Sequence, residues 1–141
     1  MDAEPDIVVL GDPDVGAVAF TNARDPFEDG YEFVDFTVRI DATGLSATTV
    51  VRSFETQQGL REFFGSLASD WRGWQGTRRW ESIEHHLAIE ATVDHHGHVA
   101  LTFTLQRHYR PDAWSVTVTV SVDAGEEMTK LASRIDDFLH T

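Results

Sequence analysis

Residues 83–122 read IEHHLAIEATVDHHGHVALTFTLQRHYRPDAWSVTVTVSV, and apolar side chains recur in the stretch at alternate positions. Alternation of this kind marks a strand with one buried face, because successive side chains leave a pleated strand on opposite sides. Ile83, Leu87, Ile89, Ala91 and Val93 share one side of a first segment. Val99, Leu101, Phe103 and Leu105 do so in a second, and Trp114, Val116, Val118, Val120 and Val122 in a third. The opposite side of the last two carries Ala100, Thr102, Thr104 and Gln106, then Ser115, Thr117, Thr119 and Ser121. β-Branched residues dominate both sides, which suits a pleated surface and argues against helix.

The pattern also sets register, since a slip of one residue would turn every apolar side chain outward. Apolar positions are odd in the first two segments, so odd pairs with odd. Asp94 opposite His98 meets that condition and leaves His95, His96 and Gly97 as the loop, with glycine at its left-handed position. Leu87 then faces Leu105, and Ile89 faces Phe103. The third segment is even, so odd must meet even. Tyr109 opposite Trp114 does this, with Arg110, Pro111, Asp112 and Ala113 as the loop and proline at a favourable turn position.

Upstream, residues 7–10 and 16–20 read as short strands about the turn Gly11-Asp12-Pro13-Asp14. Residues 31–41 alternate again, with Val34, Phe36, Val38 and Ile40 inward and Asp35, Thr37 and Arg39 outward. After the turn at residues 41–44, residues 45–54 return as a further strand. The period then changes. Leu60, Phe63, Phe64, Leu67, Ala68 and Trp71 form a helical stripe, with Thr56 as its N-cap and Gly73 as its end. A final helix presents Met128, Leu131, Ala132, Ile135, Phe138 and Leu139, and Asp123 and Glu126 have capping-box spacing. The expected order is four strands, a helix, three strands and a helix. This makes one α+β domain over residues 1–141, an antiparallel sheet of about seven strands with both helices on one face.

Composition narrows the function classes. A net charge of −13 opposes binding to nucleic acid and anionic membranes and favours basic partners. No run of residues is apolar enough to span a bilayer, and residues 1–6 have neither the basic start nor the apolar run of a signal peptide. Cysteine is absent, which excludes disulfides and thiolate chemistry and fits a cytoplasmic location.

The stretch WRGWQGTRRWES at residues 71–82, the Gly97-His98-Val99 turn and the Trp114 strand together resemble a family of small actinobacterial proteins, domain of unknown function 6228. The resemblance runs from about Phe36 to Leu139. It implies an actinobacterial source and a stand-alone domain, and carries no established activity, catalytic residue or cofactor.

Four groups of residues are candidates for chemistry. In the stretch at residues 71–82, tryptophan and arginine are the commonest binding hot spots, and Arg72, Arg78 and Arg79 are the densest basic patch. Structural roles compete: Trp71 closing the helical stripe, Trp80 covering the sheet edge, and arginines stacking on indoles for about 0.5–1 kcal/mol each. Trp74, between two glycines, is the tryptophan expected to be exposed, so Trp74, Arg78, Arg79 and Trp80 form the candidate partner site. His95, His96 and His98 look metal-like, but side chains on opposite strand faces do not converge on one ion, and no metal site is assigned. In the register above, Glu84 faces His108 and His86 faces Gln106, so Glu84, His86 and His108 are the alternative polar cluster for acid–base work. The fourth group is the acidic N-terminal half.

The leading expectation is a non-enzymatic protein-binding domain, of the immunity or antitoxin type or self-associating, docking through its acidic edge or its Thr/Ser sheet face. A metal-dependent or acid–base hydrolase at Glu84, His86 and His108 is the second. The third is a carrier whose apolar cavity is lined by Phe36, Phe63, Phe64 and Phe103. No catalytic residue and no cofactor is assigned.

Overall fold

The computed structural model describes residues 7–28, 30–108 and 110–140. Four strands, β1 (Ile7–Asp12), β2 (Gly16–Arg24), β3 (Phe33–Ala42) and β4 (Leu45–Phe54), precede helix α1 (Leu60–Ser69). Four more, β5 (Arg78–Glu81), β6 (Leu87–Val93), β7 (His98–Gln106) and β8 (Ser115–Asp123), precede helix α2 (Glu126–Leu139). The class is α+β, but eight strands form two four-stranded antiparallel sheets, each a meander in sequence order. The expected single sheet of about seven strands is corrected in this respect. The missed strand is β5, four residues within a stretch too short and too rich in arginine and glycine to show alternation.

The registers follow the hydrophobic pattern closely. Leu87 pairs with Leu105 and Ile89 with Phe103, and the Asp94 N–H donates to the His98 carbonyl at 3.0 Å. Gly97 closes that turn at φ 81°. In the next hairpin Phe103 pairs with Val118, whereas the Tyr109–Trp114 closure would have set it against Val120. The offset is two residues, so every side chain keeps its face. Pairing stops at Gln106 and Ser115, and the connection is longer than four residues. Tyr109 itself lies outside the described residues.

The dry side is a single core. Phe20 meets Phe36 at 5.7 Å, Phe103 of the other sheet at 6.2 Å and Phe138 of α2 at 6.3 Å between ring centroids. Leu101, Phe103, Val120 and Val122 are buried, Val118 is half-buried, and Thr119 is exposed. Two ends escape. Ile83 and Trp114 lie outside the strands and are 47% and 42% exposed. Helix α2 lies against β1, β2 and β8, and α1 packs on α2. Among the described residues no helix is long and apolar enough to cross a membrane.

Both helix starts depart from the expectation. The N-cap of α1 is Gly59, and the buried Glu55 carboxylate does the capping: its Oε2 accepts from Leu60 N at 2.8 Å and its Oε1 from Arg61 N at 3.2 Å. Ser53 Oγ also donates to Glu55 Oε2. A carboxylate reaching in from the preceding strand satisfies the orphan N–H groups and the positive end of the helix together. In α2 the N-cap is Gly125, and Glu127 Oε1 accepts from Asp123 N at 2.6 Å, one position later than the spacing implied.

Candidate functional site

The outer face of the β1–β4 sheet brings together aromatic, charged and exposed apolar side chains. Register places Phe33 beside Phe54, Asp35 beside Arg52 and Thr37 beside Val50 across β3 and β4. Alternation points all six to one side. The rings of Phe33 and Phe54 lie 4.8 Å apart, and Phe27 stands edge-on to Phe33 at 5.5 Å. Arg52 donates through Nε and Nη2 to both oxygens of Asp35, at 2.7 and 3.0 Å, while its Cζ sits 4.7 Å from the Phe27 ring centre. Arg24 approaches the same carboxylate at 3.9 Å.

Asp35, expected to face out into solvent, is 5% exposed. It does point to the outer side, but Arg52, Arg24 and the aromatic row cover it. Hydrogen bonding to Asp35 raises the Arg52 pKa further above its ordinary value, helped by the charges of Asp35 and Glu84 and opposed by desolvation. Beyond this clasp, pairing between β2 and β3 is irregular between Thr21 and Arg24, where Asn22 has φ 57°. A cleft of about 450 Å³ opens there against Arg24, Thr37 and Val50. Phe27 and Val50 stay 54% and 49% exposed.

The tryptophan-rich stretch is used differently from the expectation. Trp80 is 7% exposed, and its indole N–H donates to the Gln58 carbonyl at 3.0 Å. Trp74 is half-buried and donates to the Ala91 carbonyl at 3.2 Å. Arg78 stacks over Trp74 at 4.8 Å and pairs with Asp70, and Arg79 lies between Glu81 and Glu90. These contacts fasten β5 to α1 and β6. Trp71, not Trp74, is the exposed ring at 56%, lying past the end of α1 with Arg72 stacked on it at 4.9 Å.

Comparison with known proteins places the chain. Residues 9–141 match the model of a family described as "Family of unknown function (DUF6228)". The chain belongs to the DUF6228 family. No curated protein and no solved structure matches it. The resemblance drawn from residues 71–82 is thereby shown, and the match begins at residue 9.

In this DUF6228 chain His86 does stand beside Gln106, whose N–H donates to the His86 carbonyl at 2.9 Å. His86 Nδ1 lies 3.2 Å from the Val50 carbonyl oxygen on the outer edge of β4, where Ile83 N–H also donates to the Arg52 carbonyl at 3.4 Å, so this segment bridges the two sheets. Glu84 and His108 are exposed. His98 lies between Asp94 and Asp123, at 3.4 and 3.5 Å, and His95 and His96 stack on each other at 4.0 Å. Among the described residues no group of three or more His, Asp or Glu is placed to hold a metal ion. Phe36, Phe63, Phe64 and Phe103, the lining expected of a carrier, are at most 9% exposed and belong to the continuous core.

The sequence reading missed the Phe27–Arg52–Asp35 clasp. The hairpin closes with Ala42 opposite Leu45, which sets Asp35 against Arg52, whereas closure at Asp41 and Gly44 would have set it against Val50.

Proposed function

We propose that this DUF6228 protein is a non-enzymatic protein-binding domain that docks through the outer face of its β1–β4 sheet. The observation that carries the reading is the exposed pair Phe27 and Val50 flanking an arginine held by a two-point bond to a buried carboxylate. Aromatic rings and arginine supply most binding energy where they are held rigid and lose water together. An arginine already fixed by Asp35 and Phe27 loses little further freedom on docking. A cytoplasmic location and an immunity or antitoxin-type pairing with a basic protein are instances of this reading. With net charge −13, association with such a partner is fast and salt-sensitive.

The test is retention of partners from native lysate by three immobilised forms of the chain. Wild type and Thr102→Asn, on the other sheet's outer face, should retain the same protein, and Phe27→Ser with Val50→Ser should lose it. Sedimentation at rising concentration separates a second copy of this chain from a different partner. Equal retention by all three forms overturns the proposal.

A further inference from the structure

Strands β1 and β8 are terminal in their sheets, so each has a free backbone edge. The edges approach where a Cβ added to Gly11 would lie 3.2 Å from Val120 Cγ2, yet the strands do not pair. Beside this contact lies a cleft of about 340 Å³ with α2 along one wall. Val9, Leu10, Val120, Val122 and Leu131 give it an apolar lining.

The charged rim is the informative part. Three charged side chains line it: Glu127, Lys130 and Arg134. Glu127 is engaged by the Asp123 N–H at 2.6 Å, and Lys130 pairs with Glu126 at 3.0 Å in a largely solvated bridge. Arg134 has neither a carboxylate nor a ring against it among the described residues. Elsewhere in the molecule Arg24, Arg39, Arg52, Arg61, Arg78, Arg79 and Arg110 all meet carboxylates, and Arg72 meets Trp71; Arg107, exposed just past β7, is like Arg134 in having neither against it among the described residues. On a chain with 24 acids and 11 bases, Arg134 differs from Arg107 in standing at the mouth of an apolar cleft.

We propose that this cleft binds a small amphiphilic carboxylate, its tail on Val120, Val122 and Leu131 and its head on Arg134. Guanidinium and carboxylate match as a two-point, charge-assisted pair. The volume lies at the small end of ligand sites, room for a short chain rather than a long acyl tail. The net negative charge does not forbid an anion here. At physiological salt the opposing field is screened over about 8 Å, and Arg134 supplies the positive charge at the rim.

The experiment is an amide-resolved NMR titration of the full chain with octanoate, octylammonium and octanol, all below micelle formation. Octanoate should give saturable shifts at Val120, Val122 and Leu131, and the other two probes should bind at least about tenfold more weakly. Arg134→Gln should weaken octanoate binding by about the same factor, with signals outside the cleft unmoved, and Arg134→Lys should restore part of it. Absent saturation with octanoate, equal affinity for octylammonium or octanol, or an indifferent Arg134→Gln variant each overturns the proposal. The outcome is independent of Phe27 and Val50, so the docking reading stands or falls separately.

Discussion

The outer faces of the two sheets differ in kind. On the first, Asp35 is buried under Arg52, and Phe27 and Val50 project beside it. On the second, threonines pair across strands, Thr102 with Thr119 at 3.0 Å and Thr104 with Thr117 at 3.1 Å between hydroxyl oxygens. Each bonded hydroxyl pair keeps one O–H and three lone pairs, but short side chains give no projecting anchor. The interior follows the same division. Of the described polar residues that are buried, Asp35, Thr49, Ser53 and Glu55 belong to the first four-strand unit and its approach to α1, and only Ser82 to the second. Alternation therefore specifies two similar scaffolds, and the polar residues set into the first are what tell it from the second.

This contrast should appear first in stability. Asp35→Ala leaves a guanidinium facing the Phe27 ring without its counter-charge and should cost about 3 kcal/mol, discounted from a fully buried pair because Arg52 is partly exposed. Urea denaturation measures it, and a loss below about 1 kcal/mol would reduce the pair to a surface bridge. Next come the helix starts. Glu55→Ala removes acceptors from two backbone N–H groups at a buried site and should cost about 2 kcal/mol, against about 0.5–1 kcal/mol for Glu127→Ala in α2. Equal losses would erase the distinction between the units. On the threonine face, Thr102→Val with Thr119→Val should stay within about 0.5 kcal/mol of wild type, because the pair is given up together on a strand that favours valine.

The smallest effect is in pH. Hydrogen bonds from the backbone N–H of His98, and to a lesser extent of His96, hold the Asp94 pKa below its ordinary value, against some desolvation. A lowered folded-state value means stability present above the ordinary carboxylate pKa and lost as pH falls through the depressed one. Asp94→Asn should therefore be less stable than wild type at neutral pH, with the gap closing as pH drops below about 4. A gap that stays constant with pH would show that the turn depends on acceptor geometry alone.

Much of the fold was legible because one face of each strand is dry. The β6–β7 register, the faces of β7 and β8, the apolar stripe of α2 and most of that of α1 follow from spacing alone. What escaped depended on partners remote in sequence. Trp74 looks free between two glycines until the Ala91 carbonyl is seen against it, and the Gln58 carbonyl that holds Trp80 is as remote in sequence. Trp71 fits the helical spacing of Leu60, Phe64 and Leu67, yet α1 stops at Ser69 and leaves it outside. Glu55 lies before the stripe, where Thr56 was the more usual cap, and only the burial of Ser53 and Gly59 directs the carboxylate onto the helix. Likewise the division into two sheets leaves no mark on periodicity, which is the same in one sheet or two.

The meander order has a kinetic corollary. Every hydrogen-bonded strand neighbour is also a neighbour along the chain, so each unit can assemble from hairpins of short loop, at small entropic cost. The distant encounters left include the meeting of the two units at Phe20, Phe103 and Phe138 and the packing of α1 on α2. On a ribosome the leading unit can zip up before its counterpart has been made, and it then presents half of a core as the template on which the remainder settles.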